Sequence, residues 1–192
     1  MLFSAMAALP AASLAQTATT NGWSNPFTKT LRDSFRLHWV DTKEYTLAML
    51  DAMPADSFDF KAHPSQRSFG DQLGHLAWVN VVYFRAFGPL GVEDKLPKSY
   101  ADVRQEFPVE NKEALRKFVV AAFDFTLAVL DGMTEKDLMR TDIKPFPKTL
   151  PHSSVDMLFR AYMNTAHHRG QIVTYIRVKG LVPPAWKFEP HA

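Results

Sequence analysis

Four long stretches of the chain repeat their apolar residues every three or four positions, and this period constrains the fold more than any other feature. The stretches cover residues 26–53, 69–88, 111–133 and 154–179. Such spacing lines up apolar side chains on one face of an α-helix. Pro26 opens the first stretch, Pro54 ends it and Gly180 follows the last, as expected at helix boundaries. A short further helix is predicted over residues 100–106. The sequence therefore predicts an all-α four-helix bundle with long crossover connections.

Composition limits what such a bundle can do. With 192 residues, the chain has the length of one domain with a full core. The net charge is +2 and the basic residues are not clustered, so nothing favours nucleic acid or an anionic membrane surface as a partner. The chain has no cysteine, which excludes disulfides, thiolate metal sites and a cysteine nucleophile. Histidine, carboxylate or amide oxygen would have to hold any metal.

The first residues differ from the rest of the chain. The stretch "MLFSAMAALPAASLAQ" is apolar and rich in small residues, and Ser13 and Ala15 form the pattern after which a signal peptidase cuts. We predict a signal peptide over 1–15, a tether over 16–24, and one bundle domain over 25–192. The protein is then exported, to the periplasm or outside the cell, with no membrane span in the mature chain. The alternative is an alanine-rich leader on a cytoplasmic protein.

Polar residues interrupt the inward face of the last predicted helix. Asn164 and His168 lie one turn apart on the face defined by apolar neighbours Met157, Ala161, Ile172 and Tyr175. Two such ligands at positions i and i+4 recur in metal sites because both head groups converge. Gly170 predicts a close approach by another backbone, since glycine lowers helix propensity. Arg169 is expected in an ion pair or in helix packing, and Gln171 is expected to orient a neighbour by hydrogen bonding.

Two other histidines lie in predicted helices. His75 follows Leu73 and precedes Leu76 in the second helix, so its ring is expected to be buried or nearly so. Alone it would be a core histidine with a hydrogen-bond partner, but facing His168 it would complete a pair of imidazoles for a divalent metal. His38 is placed on the inner stripe of the first helix. It could complete the site, act as a catalytic base or form a hydrogen bond within the core.

Two segments resemble the DinB/YfiT-like family of four-helix metalloenzymes. They are "MPADSFDFKAHPSQRSFGDQLGHLAWV" and "HHRGQIVTYIRVKGLVPP", and the resemblance covers residues 25–184. The family has a three-histidine metal site, whose first and last ligands fall on His75 and His168. The middle ligand falls on Asn164, which is not a histidine. An amide oxygen in place of imidazole should weaken binding of nickel or zinc, the divalent ions that we expect.

The resemblance implies a metal-dependent enzyme acting on a small molecule. Some family members resemble thiol transferases that use a low-molecular-weight thiol. Export would favour hydrolysis instead, because such thiols are cytosolic. The alternative is a non-catalytic bundle that has lost the metal and binds a small apolar or aromatic ligand, and a third possibility is a purely structural helical domain. The resemblance also implies a homodimer.

Overall fold

The computed structural model describes residues 23–186, which fold into four long helices and two short ones. The predicted signal peptide lies outside these residues, as do most of the predicted tether and the last six residues. The helices, in chain order, are α1 (Pro26–Ala52), α2 (Phe69–Arg85), α3 (Tyr100–Glu106), α4 (Lys112–Gly132), α5 (Glu135–Leu138) and α6 (Ser154–Val178). A 3₁₀ turn, Ala55–Ser57, lies between α1 and α2. The all-α prediction is confirmed, and the predicted short helix corresponds to α3.

Side-chain caps explain where the helices begin. The Asn25 side chain accepts a hydrogen bond from the Phe27 backbone N–H at 2.9 Å, at the start of α1. Ser68 caps α2 in the same way, and Ser153 caps α6. These caps satisfy N–H groups that have no partner within the helix. Gly180, just beyond α6, has a φ of +75°, a left-handed conformation that glycine adopts without strain.

The four long helices form the bundle, in which α1 and α2 each pack against both α4 and α6. Aromatic side chains fill the core between them. Trp39 from α1 is fully buried and meets Phe84 of α2 edge-on, with ring centroids 5.3 Å apart. Its ring also contacts Phe123 of α4. Because α2 packs against α6, side chains on their facing surfaces are brought together. The candidate site lies between these two helices.

Two predictions about packing were wrong in detail. The buried face of α1 includes Trp39 and Thr42, so it is rotated from the predicted stripe, and His38 at its edge is only half-buried. Within residues 23–186, nothing outside the local turn of α6 lies within 4 Å of the position that a Cβ would take at Gly170, so no other described segment approaches it closely. The close approach occurs instead at Gly70, where a Cβ would lie 1.9 Å from the Val109 carbonyl oxygen. Among the described helices, none has the length and apolarity to cross a membrane.

Candidate functional site

His75 of α2 and His168 of α6 face each other across the bundle. Their ring centroids are 5.0 Å apart and the rings meet edge-to-face, at 77°. Both side chains are half-buried. The capped start of α2 and the packing of α2 against α6 fix this arrangement. The structure therefore brings together the two histidines that the sequence analysis paired.

Both imidazoles are electrically neutral at ordinary pH. Burial lowers the pKa of His75, and the positive charge of Arg67 lowers it further. Burial also lowers the pKa of His168, to about 4, and repulsion from His75, His167 and Arg67 adds to the effect. A neutral imidazole keeps one nitrogen lone pair for a metal or a proton. The pair is therefore in the protonation state that coordination requires.

A chain of hydrogen bonds supports His168 from α2. The Gln72 side-chain amide lies 2.7 Å from His168 Nδ1 and 2.5 Å from the Gln171 side-chain amide. Gln171 in turn lies 2.7 Å from His167 Nε2. Gln171 contacts His167, in keeping with the orienting role predicted for it. Gln72 contacts His168 in the same manner, and the sequence analysis missed this residue. The available signal was a glutamine three positions before His75 in an otherwise apolar helix.

Two of the predicted ligand residues have a buried polar atom without a partner. Within residues 23–186, His75 Nδ1 and the Asn164 side-chain nitrogen have no hydrogen-bond partner, although Asn164 lies one turn before His168. Unpaired buried polar atoms cost free energy and are rare in folded proteins. A bound ion or small molecule would remove this cost at His75, and rotation of the Asn164 amide would offer its oxygen as a ligand.

The histidine pair provides only two of the donors that a metal site would need. No group of three or more histidine, cysteine or carboxylate side chains suited to a metal occurs among the described residues. A metal bound by the two imidazoles would therefore need a third donor, either the Asn164 side-chain oxygen or an atom of a bound small molecule. Such a set suits nickel or zinc through its nitrogens and leaves coordination positions open.

Aromatic and charged residues border the pair on the α3 side. Tyr100 packs edge-on against His75, with centroids 5.6 Å apart, and its hydroxyl donates to Asp71 Oδ1 at 2.7 Å. Asp71 also pairs with Arg67 at 3.2 Å. Trp78 lies beside both rings, at 6.1 Å from His75. The sequence analysis missed this wall because it forms only when Tyr100 of α3 packs against His75 and Trp78 of α2.

The remaining predicted residues lie elsewhere. The ring neighbour of His38 is Tyr162, 6.0 Å away, and no contact between His38 and the histidine pair occurs within residues 23–186. Its role as a base stays a prediction. Arg169 is 6 % exposed, and its guanidinium lies 4.5 Å from the Trp186 ring centroid. Packing, rather than an ion pair, is the role that the described contacts of Arg169 support.

Comparisons with known proteins agree with this architecture. The family model described as "DinB family" matches residues 27–190. A solved DinB-like protein from Bacillus cereus ATCC 10987 superposes with a TM-score of 0.61 at 21 % identity, covering 80 % of this chain and 95 % of that one. A DinB-like protein (YjoA) from Bacillus subtilis gives 0.60 at 15 % identity, covering 83 % and 99 %. No curated protein matches. These likenesses show the fold, and the match over most of the chain shows that it belongs to the DinB family.

Proposed function

We propose that this protein is a metal-dependent enzyme in which His75 and His168 hold one divalent ion between α2 and α6. The observation that carries the proposal is the edge-to-face approach of two neutral imidazoles from facing helices. Nickel or zinc suits this nitrogen-rich set, with the Asn164 amide oxygen as a weaker third donor.

In this proposal, the metal supplies the chemistry and the residues around the histidine pair bind and orient the substrate. A divalent ion with open positions lowers the pKa of bound water or a thiol and polarises a carbonyl. His75 and His168 stay neutral and keep their lone pairs for binding. Tyr100 and Trp78 supply apolar ring surface against which a small molecule can be oriented, with Tyr100 held by Asp71. Hydrolysis and transfer to a low-molecular-weight thiol are the two reaction types that we propose. His38 remains a candidate base.

A non-catalytic binding bundle is the competing function, and two observations favour it. Asn164 replaces the histidine that the family resemblance predicts, and its amide oxygen is a weaker ligand for nickel or zinc than an imidazole. A cavity of about 400 Å³ between α1 and the C-terminal segment offers a separate place for a small ligand. Tyr45 and Trp186 line it with aromatic surface, and Asp41 adds a carboxylate. Such a mixture of apolar walls and few polar groups is typical of ligand sites.

Activity measurements separate the two functions. Metal-free protein would be loaded with zinc, nickel or manganese and assayed against a panel of small esters, amides and thiol-acceptor pairs. We expect turnover by the loaded wild type, loss of it in His75→Ala and His168→Ala, and retention in His63→Ala, whose ring lies in an exposed loop. The same assay of His38→Ala tests the base. Ligand binding without metal uptake or turnover would favour the binding bundle.

Export and assembly are proposed on the sequence alone. We propose cleavage after residue 15 and a homodimer, which mass spectrometry of the secreted chain and light scattering would test. Phe159 and Met163 of α6 are large apolar side chains that are about half exposed, a feature compatible with a second copy packing there.

A further inference from the structure

The hydrogen-bonded chain from His168 to His167 has two self-consistent arrangements. In the first, the Gln72 amide NH₂ donates to His168 Nδ1 and to the Gln171 oxygen, and the Gln171 NH₂ donates to His167 Nε2. In the second, both amides are rotated by 180°. His168 Nδ1–H and the Gln171 NH₂ then donate to the Gln72 oxygen, and His167 Nε2–H donates to the Gln171 oxygen. The oxygen and the nitrogen of a side-chain amide are similar in size and exchange positions on a 180° rotation, so both arrangements keep the same distances.

The two arrangements leave His168 with different chemistry. A neutral imidazole carries one proton, so an Nδ1 that accepts from Gln72 requires a proton on Nε2, and that nitrogen cannot bind a metal. An Nδ1–H that donates to Gln72 leaves the Nε2 lone pair free. Metal-binding histidines generally donate their second N–H to an oxygen acceptor, which fixes the tautomer and raises the basicity of the ligating nitrogen.

We propose that Gln72 is a positioning residue whose side-chain oxygen accepts from His168 Nδ1–H and thereby holds Nε2 of His168 as the metal-binding nitrogen. This inference rests on the proposed function. Gln72 is only 3 % exposed, so water does not compete readily for its amide. The bond joins α2 to α6, the two helices that carry the histidine pair.

Gln171 makes the choice of arrangement cooperative. Because Gln72 and Gln171 lie 2.5 Å apart, two oxygens or two NH₂ groups cannot face each other there, and the two amides must rotate together. The proton position on His167 Nε2 is then set by the same choice. Gln72 and Gln171 thus act as one unit that selects the His168 tautomer.

Nuclear magnetic resonance of the metal-free protein tests the proposal without any need for metal or activity. Two-bond ¹H–¹⁵N spectra of the histidine rings at neutral pH report which nitrogen carries the proton. We expect Nδ1–H on His168 in the wild type, loss of this preference in Gln72→Met, and its return in Gln72→Glu, whose carboxylate also accepts. Gln105→Met, at an exposed position of α3, is the control variant. A wild-type His168 protonated on Nε2 would overturn the proposal.

Metal affinity provides the second readout. Calorimetric titration with Ni²⁺ should show binding weakened about 10- to 100-fold in Gln72→Met, as for loss of other outer-shell partners, and restored in Gln72→Glu. Equal affinity in the wild type and in a folded Gln72→Met variant would overturn the proposal. If no variant and no wild-type sample binds metal while the tautomer follows Gln72, the proposed enzyme fails and the positioning role of Gln72 stands.

Discussion

The carboxylate of Asp94 gives a prediction that can be worked out in numbers. Asp94 lies in the connection that leads from α2 to α3, and thus to the Tyr100 wall of the site. Its oxygens accept from Arg85 Nε at 2.5 Å and Arg85 Nη2 at 3.0 Å, and from Lys98 at 2.8 Å. Burial by itself would raise the pKa of Asp94, but these bonds prevail and lower it from 3.8 to about 2. The substitution Asp94→Asn keeps the shape and removes the charge.

The pKa difference sets the size of the effect. At about 1.36 kcal/mol for each pH unit, a fall from 3.8 to about 2 corresponds to about 2.4 kcal/mol of stability. The Arg85 and Asp94 side chains are 26 % and 21 % exposed, so solvent screening reduces this to about 2 kcal/mol. The folded-state pKa lies below the unfolded one. The contribution is therefore complete above pH 3.8 and is lost as the pH falls from 3.8 towards about 2.

Urea unfolding followed by circular dichroism at a series of pH values tests this reasoning. We expect Asp94→Asn to be about 2 kcal/mol less stable than the wild type near neutral pH, with the difference closing towards about pH 2. The control is Asp142→Asn, which removes the exposed partner of Arg140 and should cost much less. A difference that stays constant across the pH range, or an Asp94→Asn variant as stable as the wild type, would refute the argument.

Four further substitutions have defined outcomes. Asn164→His should supply a third imidazole and tighten Ni²⁺ binding, as measured by calorimetric titration. We expect a gain of about 10- to 100-fold or more, because losing an outer-shell partner alone changes metal affinity by about that factor. Unchanged affinity would place Asn164 outside the site. Gly70→Ala should destabilise the fold by about 3 kcal/mol in urea unfolding, because the new Cβ would overlap the Val109 carbonyl oxygen. Gly170→Ala should instead stabilise the fold by about 0.5–1 kcal/mol, because the position has open space and alanine has the higher helix propensity. Arg169→Lys should cost about 1–2 kcal/mol despite the retained charge, because a compact ammonium group lacks the broad planar surface of the guanidinium, whose carbon lies 4.5–5.8 Å from the ring centroids of Trp186, Tyr45 and Tyr162. An unchanged free energy of unfolding would contradict this reasoning.

Much of the fold follows from local signals that the sequence carries. Asn25, Ser68 and Ser153 are residues with side-chain oxygens placed directly before an apolar period, and each caps a helix. Gly180, whose place after the last apolar period predicts a helix end, adopts a left-handed conformation just beyond α6. The helical period placed Asn164 and His168 on one inward face of α6, whereas the pairing of His75 with His168 came from the family resemblance.

Features that depend on distant segments could not be predicted. The burial of Arg169 arises because Trp186 folds back onto α6 and Tyr45 approaches from α1, contacts that no helical period encodes. The open space at Gly170 shows that a glycine in a helix need not mark a close approach. Gln72 escaped notice because its role appears only when α2 and α6 are placed side by side.

Metal stoichiometry of the purified protein tests the central claim most directly. Elemental analysis would compare the wild type, His75→Ala, His168→Ala and the exposed-loop control His63→Ala, each grown with ordinary trace metals and then soaked with nickel, zinc or manganese. The account predicts close to one bound ion in the wild type and in His63→Ala, and its loss in both of the other variants. A wild type that takes up no metal under any of these conditions would contradict it, as would metal retained without His75 and His168.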